Sequence, residues 1–232
     1  MTAPLAAPPS PLPGIWLRLR RERALIALFD LGRQKSYGLR AAKLYAFGVF
    51  VSYAIAISLA RGSGRRAAIH SLLQAALVSL SWVVGALSAL GSAQALAEQP
   101  EREALSALAL QRGFSKSALL RARSAAATVR VTRLVGVPAL LLVLVGVARG
   151  GTLRWALSVA PAVVIHAGLL GLALALLAHF SAELSPRHPR ALLTLLVLGP
   201  VLISLAYPAV PSLPRLFSGL LSRLFASGAA LS

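Results

Sequence analysis

The chain has 232 residues, 57% of them hydrophobic, with a mean hydropathy of +0.76. Charged residues make up 13%, against about 25% in a soluble domain, and 24 Lys+Arg stand against 6 Asp+Glu for a net charge of +18. This leaves no room for a sizeable soluble domain, and the absence of cysteine excludes disulfides, thiolate metal sites and a Cys nucleophile.

The apolar residues fall into blocks at 44–60, 72–96, 134–148, 155–180 and 191–207, with almost no acid inside them. Several are near the roughly 20 residues a helix needs to cross hydrocarbon, and they lack the short alternating strands of an outer-membrane barrel. The sequence predicts an all-α, polytopic transmembrane helical bundle of five to six spans. Its basic excess fits span ends facing anionic lipid. Nucleic-acid binding is disfavoured, since the basic stretches lack interleaved aromatics.

In chain order, residues 1–14 are rich in Ala and Pro and read as a disordered cytoplasmic tail. They lack the basic start of a signal peptide. Residues 15–40 read as an N-terminal interfacial helix followed by a hinge. The helix is "WLRLRRERALIALF" at 16–29, with snorkelling arginines and Trp16 as anchor. The hinge is 30–40, with Gly32 and Gly38. Residues 41–232 form the transmembrane domain. Span one is followed by the polar turn "RGSGRRAAIH" at 61–70. Span two covers about 71–97, with small residues Gly85, Ala86, Ser88, Ala89, Gly91, Ser92 and Ala93 dense enough for close helix packing, a subunit interface or an apolar lining. Span three is about 134–148. After "RGGTLR", span four is about 155–180, with Pro161 expected in its first turns. Span five is about 191–207, with Pro200 as a kink. Residues 213–231 read as a sixth span or as a short re-entrant or interfacial helix, because Arg215 and Arg223 are costly in lipid.

Lys and Arg set the orientation. Seventeen lie before span one, between spans two and three, and after span four; five (Arg61, Arg65, Arg66, Arg149 and Arg154) lie at the opposite ends. By the positive-inside rule the N-terminus is cytoplasmic, in an inner membrane. The arginines after span one dissent from that rule.

The connection between spans two and three reads "EQPEREALSALALQRGFSKSALLRARSAAATVRVTR". Pro100 suits a helix start, and Glu101 and Glu103 sit in the first turn, where the macrodipole favours them. Leu105, Leu108 and Arg112 share one face. Gly113 is expected to end the helix and Ser115 to cap the next one. From Lys116 the chain reads as helical straight into span three, with Lys116, Arg123 and Arg130 at seven-residue spacing. A short cytoplasmic helix therefore leads through a sharp break into a long membrane helix. It is either a solvated loop helix or a lever for a soluble partner.

This layout resembles the membrane subunits of type-2 ABC exporters, which carry an interfacial helix, six spans and a cytoplasmic coupling helix between spans two and three. The resemblance rests on the order Glu101-Arg102-Glu103, Leu105 and Leu108, Gly113-Phe114-Ser115, then Lys116, Leu119 and Leu120. The chain departs from that family's pattern at Ala104-Leu105, where Gly-Thr is usual, and lacks a Pro common at the break. The resemblance implies a permease subunit paired with a second permease and driven by a separate ABC-type ATPase. That ATPase would grip Glu101, Glu103, Leu105, Leu108, Arg112, Gly113, Phe114 and Ser115. The permease itself would have no catalytic site, metal or cofactor, and ATP would act through the partner.

Other chemistry finds little support. No P-loop pattern exists, and Asp30 is the only Asp, so no Ser/His/Asp set forms. His166 lies mid-span and is expected to hydrogen-bond to a neighbouring helix. No two histidines pair with an acid for metal. The span interiors lack the acid that ion-coupled carriers use at the midplane. A non-transporting scaffold or assembly factor is the alternative from a different class.

Overall fold

The computed structural model describes residue 23, residues 37–62, 64–97, 104, 107–111, 113–207, 209 and 212–229. The expected tail, most of the interfacial helix and most of the hinge lie outside the described residues. Every described element is helical. They are α1 (Tyr37–Leu59), α2 (Arg65–Ser79), α3 (Gly85–Ala97), α4 (Lys116–Ala148), α5 (Leu153–Leu184), α6 (Pro189–Ala206) and α7 (Leu213–Ala229). A π-helical turn, Leu80–Val84, joins α2 to α3 without a break. Four helices are long and apolar enough to cross a membrane: Tyr37–Leu59, Arg65–Ala93, Lys116–Ala148 and Leu153–Leu184. Large apolar side chains such as Phe47, Leu144, Leu157, Leu176 and Leu195 are exposed on the bundle surface, as lipid-facing positions should be.

The α4–α5 hairpin is the most extensively packed pair, with α1, α2 and α3 laid against it. Small residues set its closest crossing. A Cβ on Gly171 would lie 2.7 Å from Thr132 Oγ1 and 2.9 Å from the Thr128 carbonyl, and Thr132 Oγ1 donates to the Ala167 carbonyl at 3.3 Å. At the α1–α3 crossing a Cβ on Gly38 would lie 2.9 Å from the Leu87 carbonyl. The small-residue run of the second span is absorbed inside the chain: Ser88, Ala89, Ser92 and Ala93 are fully buried, and a Cβ on Gly85 would meet Leu174 at 2.9 Å.

Two sequence expectations need correction. Residues 37–40, read as hinge, belong to α1. Pro161 does not sit in a first turn, because α5 begins at Leu153, capped by Thr152. Pro161 is interior and leaves the Leu157 carbonyl without its helical donor; Pro138 does the same within α4. The last two helices are shorter than the four helices long and apolar enough to cross a membrane. α6 has 18 residues and α7 has 17. A short turn after α5 returns α6 along α5 and α3, while α7 packs on α5 and α2. Phe217 meets His166 edge-on, centroids 5.8 Å apart, and Phe225 lies 5.2 Å from His70. α7 therefore runs from the middle of α5 toward the α4–α5 turn, in the same sense as α6. The two helices are separate elements, α6 ending at Ala206 and α7 beginning at Leu213. Arg215 and Arg223 stay on the exposed side of α7.

Gly171→Val should lower the unfolding midpoint of the detergent-solubilised protein, the overpacking costing about 1–3 kcal/mol. Gly168→Val should not, since a Cβ at Gly168 meets nothing within 4 Å. Thermal melts of the two variants against wild type check this.

Candidate functional site

The lead-in to α4 is built by two adjacent local signals. Gly113 has φ +79°, a conformation open to glycine and strained for a residue with a Cβ. Its N–H donates to the Leu110 carbonyl at 2.9 Å, and the Phe114 N–H donates to the Ala109 carbonyl at 3.1 Å. This pair of bonds is a Schellman ending. Ser115 then caps α4, its Oγ accepting from the Ala118 N–H at 3.2 Å. The helix break at Gly113 and the cap at Ser115 are where the sequence placed them.

The short helix, of which 104 and 107–111 are described, does not hang free in solvent. Ala109 is buried against Leu119, Ala122 and Ala126 of α4, with Phe114 packed on the same cluster. This satellite core is separate from the main one and clamps the short helix to the first turns of α4. Leu108 and Leu110 remain exposed, 51% and 42%, as does Leu120 of α4. Of the expected coupling residues, the structure brings together Leu108, Gly113, Phe114 and Ser115; Glu101, Glu103, Leu105 and Arg112 lie outside the described residues. Along the same stretch the seven-residue basic spacing divides: Lys116 is exposed, while Arg123 and Arg130 are buried at 7%. Their spacing carried the signal of a shared helix face, but nothing local said which way that face turns.

A second polar locus lies in the middle of the bundle. His166 is 1% exposed, and its Nε2 lies 2.8 Å from Ser81 Oγ on the π turn. Ser81 gives its single proton to the Leu77 carbonyl at 2.6 Å, so the serine oxygen accepts and His166 Nε2 donates. Nδ1 is then an acceptor, and it is buried with no hydrogen-bond partner among the described residues. The π turn supplies the register: the Gly85 N–H donates to the Leu80 carbonyl, five residues back, and widens the helix where Ser81 must reach across to α5. Phe217 and Leu221 of α7 close the other side. About 150 Å³ of space between atoms remains, with no room for a water-sized sphere. The locus is a packed joint where α2, α5 and α7 meet, not an open binding pocket. The expected interhelical bond from His166 is present.

Among the described residues no group of three or more His, Asp or Glu could hold a metal ion. Within α5, His179 Nε2 lies 4.0 Å from Glu183 Oε1, an i,i+4 contact.

Ser81→Ala and His166→Leu should each destabilise the protein, and together by less than the sum. The coupling should be of the size of interhelical membrane hydrogen bonds, about 0.6–1.7 kcal/mol, as read from a double-mutant cycle of unfolding in detergent or bicelles. No protein-family sequence model, no curated protein and no solved structure matches this chain at a significant level.

Proposed function

We propose that this chain is the membrane-spanning permease subunit of an ATP-driven, ABC-type transporter, exporting apolar or amphipathic cargo with power from a separate ATPase. The observation that carries the reading is the clamped joint at 107–115. A short helix with exposed Leu108 and Leu110 is fixed by the Gly113 Schellman ending and the Ala109–Leu119–Ala122–Ala126 cluster to a 33-residue helix. A force applied to such a helix reaches the membrane through α4 and is not dissipated in a flexible loop. The soluble ATPase would seat on the exposed leucines, with Glu101 and Glu103 at the helix start. Closure of two ATPases would then rock two permease subunits, identical or different, between inward- and outward-facing states.

Two further features support this reading. The apolar cores of the spans carry no Asp or Glu, so the polar group that ion-coupled carriers need at midplane is missing. α6 and α7 are short, at 18 and 17 residues, and short helices set beside full-length spans occur in transport proteins, where they can move against a fixed scaffold. The proposed setting is an inner membrane with the N-terminus and the 107–115 joint on the cytoplasmic side, the side favoured by 17 basic residues against five.

The full-length tagged protein should co-purify in mild detergent with a stoichiometric P-loop ATPase. Leu108→Asp, an exposed position whose change spares the core, should abolish that association while leaving the protein monodisperse. A wild-type protein that purifies with no ATPase overturns the reading and favours a scaffold or assembly factor.

A further inference from the structure

The five arginines on the minority side of the orientation count lie at neighbouring helix ends in the fold. Arg61 follows α1, Arg65 and Arg66 open α2, and Arg149 and Arg154 flank the α4–α5 turn. The structure joins these segments directly. Arg149 Nη2 donates to the Ser58 carbonyl at the end of α1. The Arg65 guanidinium rests against the turn, its Cζ 3.5 Å from where a Cβ on Gly150 would stand. Gly150 has φ +103° and ends α4 as Gly113 ends the short helix: the Gly150 N–H donates to the Val147 carbonyl at 3.1 Å and the Gly151 N–H to the Gly146 carbonyl at 2.9 Å.

Beside this cluster lies a cavity of about 330 Å³ lined by Arg66, Ile69, His70, Gly151, Thr152 and Trp155, within the range of small-ligand sites. Trp155 is held in a slot that only glycine leaves open, since a Cβ on Gly146 or Gly151 would come within about 3.1 Å of its ring. Its indole N–H donates to His70 Nδ1 at 3.2 Å, so neutral His70 carries its proton on Nε2 and remains a donor. Thr152 Oγ1 accepts the Trp155 N–H at 3.1 Å, so its own proton is also available to donate. Arg65 Nε and Arg149 Nε are buried and have no hydrogen-bond partner among the described residues. The locus is therefore rich in donors, and no described acid is near. The only described acid is Glu183, at the far end of the 32-residue α5, about 45 Å away at 1.5 Å per residue.

We infer that this cavity is a binding site for a phosphate-bearing anion at the membrane surface. Arg65 and Arg66 neutralise the phosphate, His70 and Thr152 donate to it, and the Ile69–Trp155 wall takes the apolar part of the molecule. Arginine suits the task because its guanidinium fork matches phosphate oxygens in pairs. Clustered basic groups at a membrane surface attract anionic headgroups. The shared chemistry is the phosphate monoanion or diester, whether carried by a lipid headgroup or free in solution. The inference stands apart from the permease reading, since it uses neither the 107–115 joint nor an ATPase.

The test is native mass spectrometry of the full-length protein in detergent, titrated with phosphatidylglycerol or with phosphatidylcholine of the same chains. Wild type should retain phosphatidylglycerol at least fivefold better. Arg66→Glu, an exposed position, should weaken phosphatidylglycerol binding about fivefold or more. Arg187→Glu, exposed at the opposite end, should leave it unchanged, and both variants should elute as wild type does. Inorganic phosphate at millimolar concentration that displaces the lipid assigns the site to the phosphate group alone; retention of the lipid assigns it to the headgroup with its chains. Equal retention of the two lipids by wild type, or equal loss in Arg66→Glu and Arg187→Glu, overturns the inference.

Discussion

The whole molecule depends on one constraint: in hydrocarbon no water is present to satisfy a backbone N–H or C=O. A chain this apolar must therefore close its backbone hydrogen bonds within each segment, and helices are the form that does so. The constraint is most demanding where helices end. Two of the connections meet it with the same device. At 113–115 and at 150–152 a glycine in the left-handed region ends one helix with a pair of Schellman bonds, and a Ser or Thr caps the next. Both run glycine, any residue, hydroxyl. Because each turn satisfies its own backbone groups, it can be short, and short turns hold the joined helices at fixed angles.

Packing follows from those fixed angles. With α4 and α5 locked as a hairpin, their faces can approach only where side chains are small, as at Gly171 against Thr128 and Thr132. In lipid no hydrophobic force drives helices together, so close contact of this kind, with a few interhelical hydrogen bonds, carries the association. The His166–Ser81 bond belongs to that economy. The π turn costs regular helix geometry at Leu80–Val84, and in return the serine stands within 2.8 Å of the histidine. Phe217 packs there as well, so the joint also fixes the start of α7.

The two ends of the bundle differ on the same scaffold. One end extends α4 beyond its apolar half and clamps a short helix with leucines turned outward. The other gathers five arginines, a buried tryptophan and a cavity around the α4–α5 turn. The α4–α5 hairpin, the most extensively packed pair in the bundle, joins them.

Much of this was legible in the sequence, and the reason is range. The apolar blocks, the break at Gly113, the cap at Ser115 and the continuous helix from Lys116 are decided by neighbours within a turn or two, through hydrogen bonding and burial in lipid. The location of the membrane helices followed from composition alone. What tertiary structure decided needed partners far apart in the chain. Arg123 and Arg130 show only a seven-residue spacing in the sequence, and the fold decides that both are buried. The arginines of 61–66 and 149–154 look like two ordinary polar turns until the fold sets Arg65 on Gly150 and Arg149 on Ser58. Gly146 reads as part of a span and Gly151 as part of a turn until Trp155 fills the slot between them. The course of the last helix, α7, was left open in the sequence, as a sixth span or as a short re-entrant or interfacial helix. Its direction was fixed only by the ring contacts of Phe217 and Phe225 with two histidines more than fifty residues upstream. Local hydrogen bonding is written residue by residue, whereas which face meets which is settled by close packing, and close packing is a property of the assembled bundle.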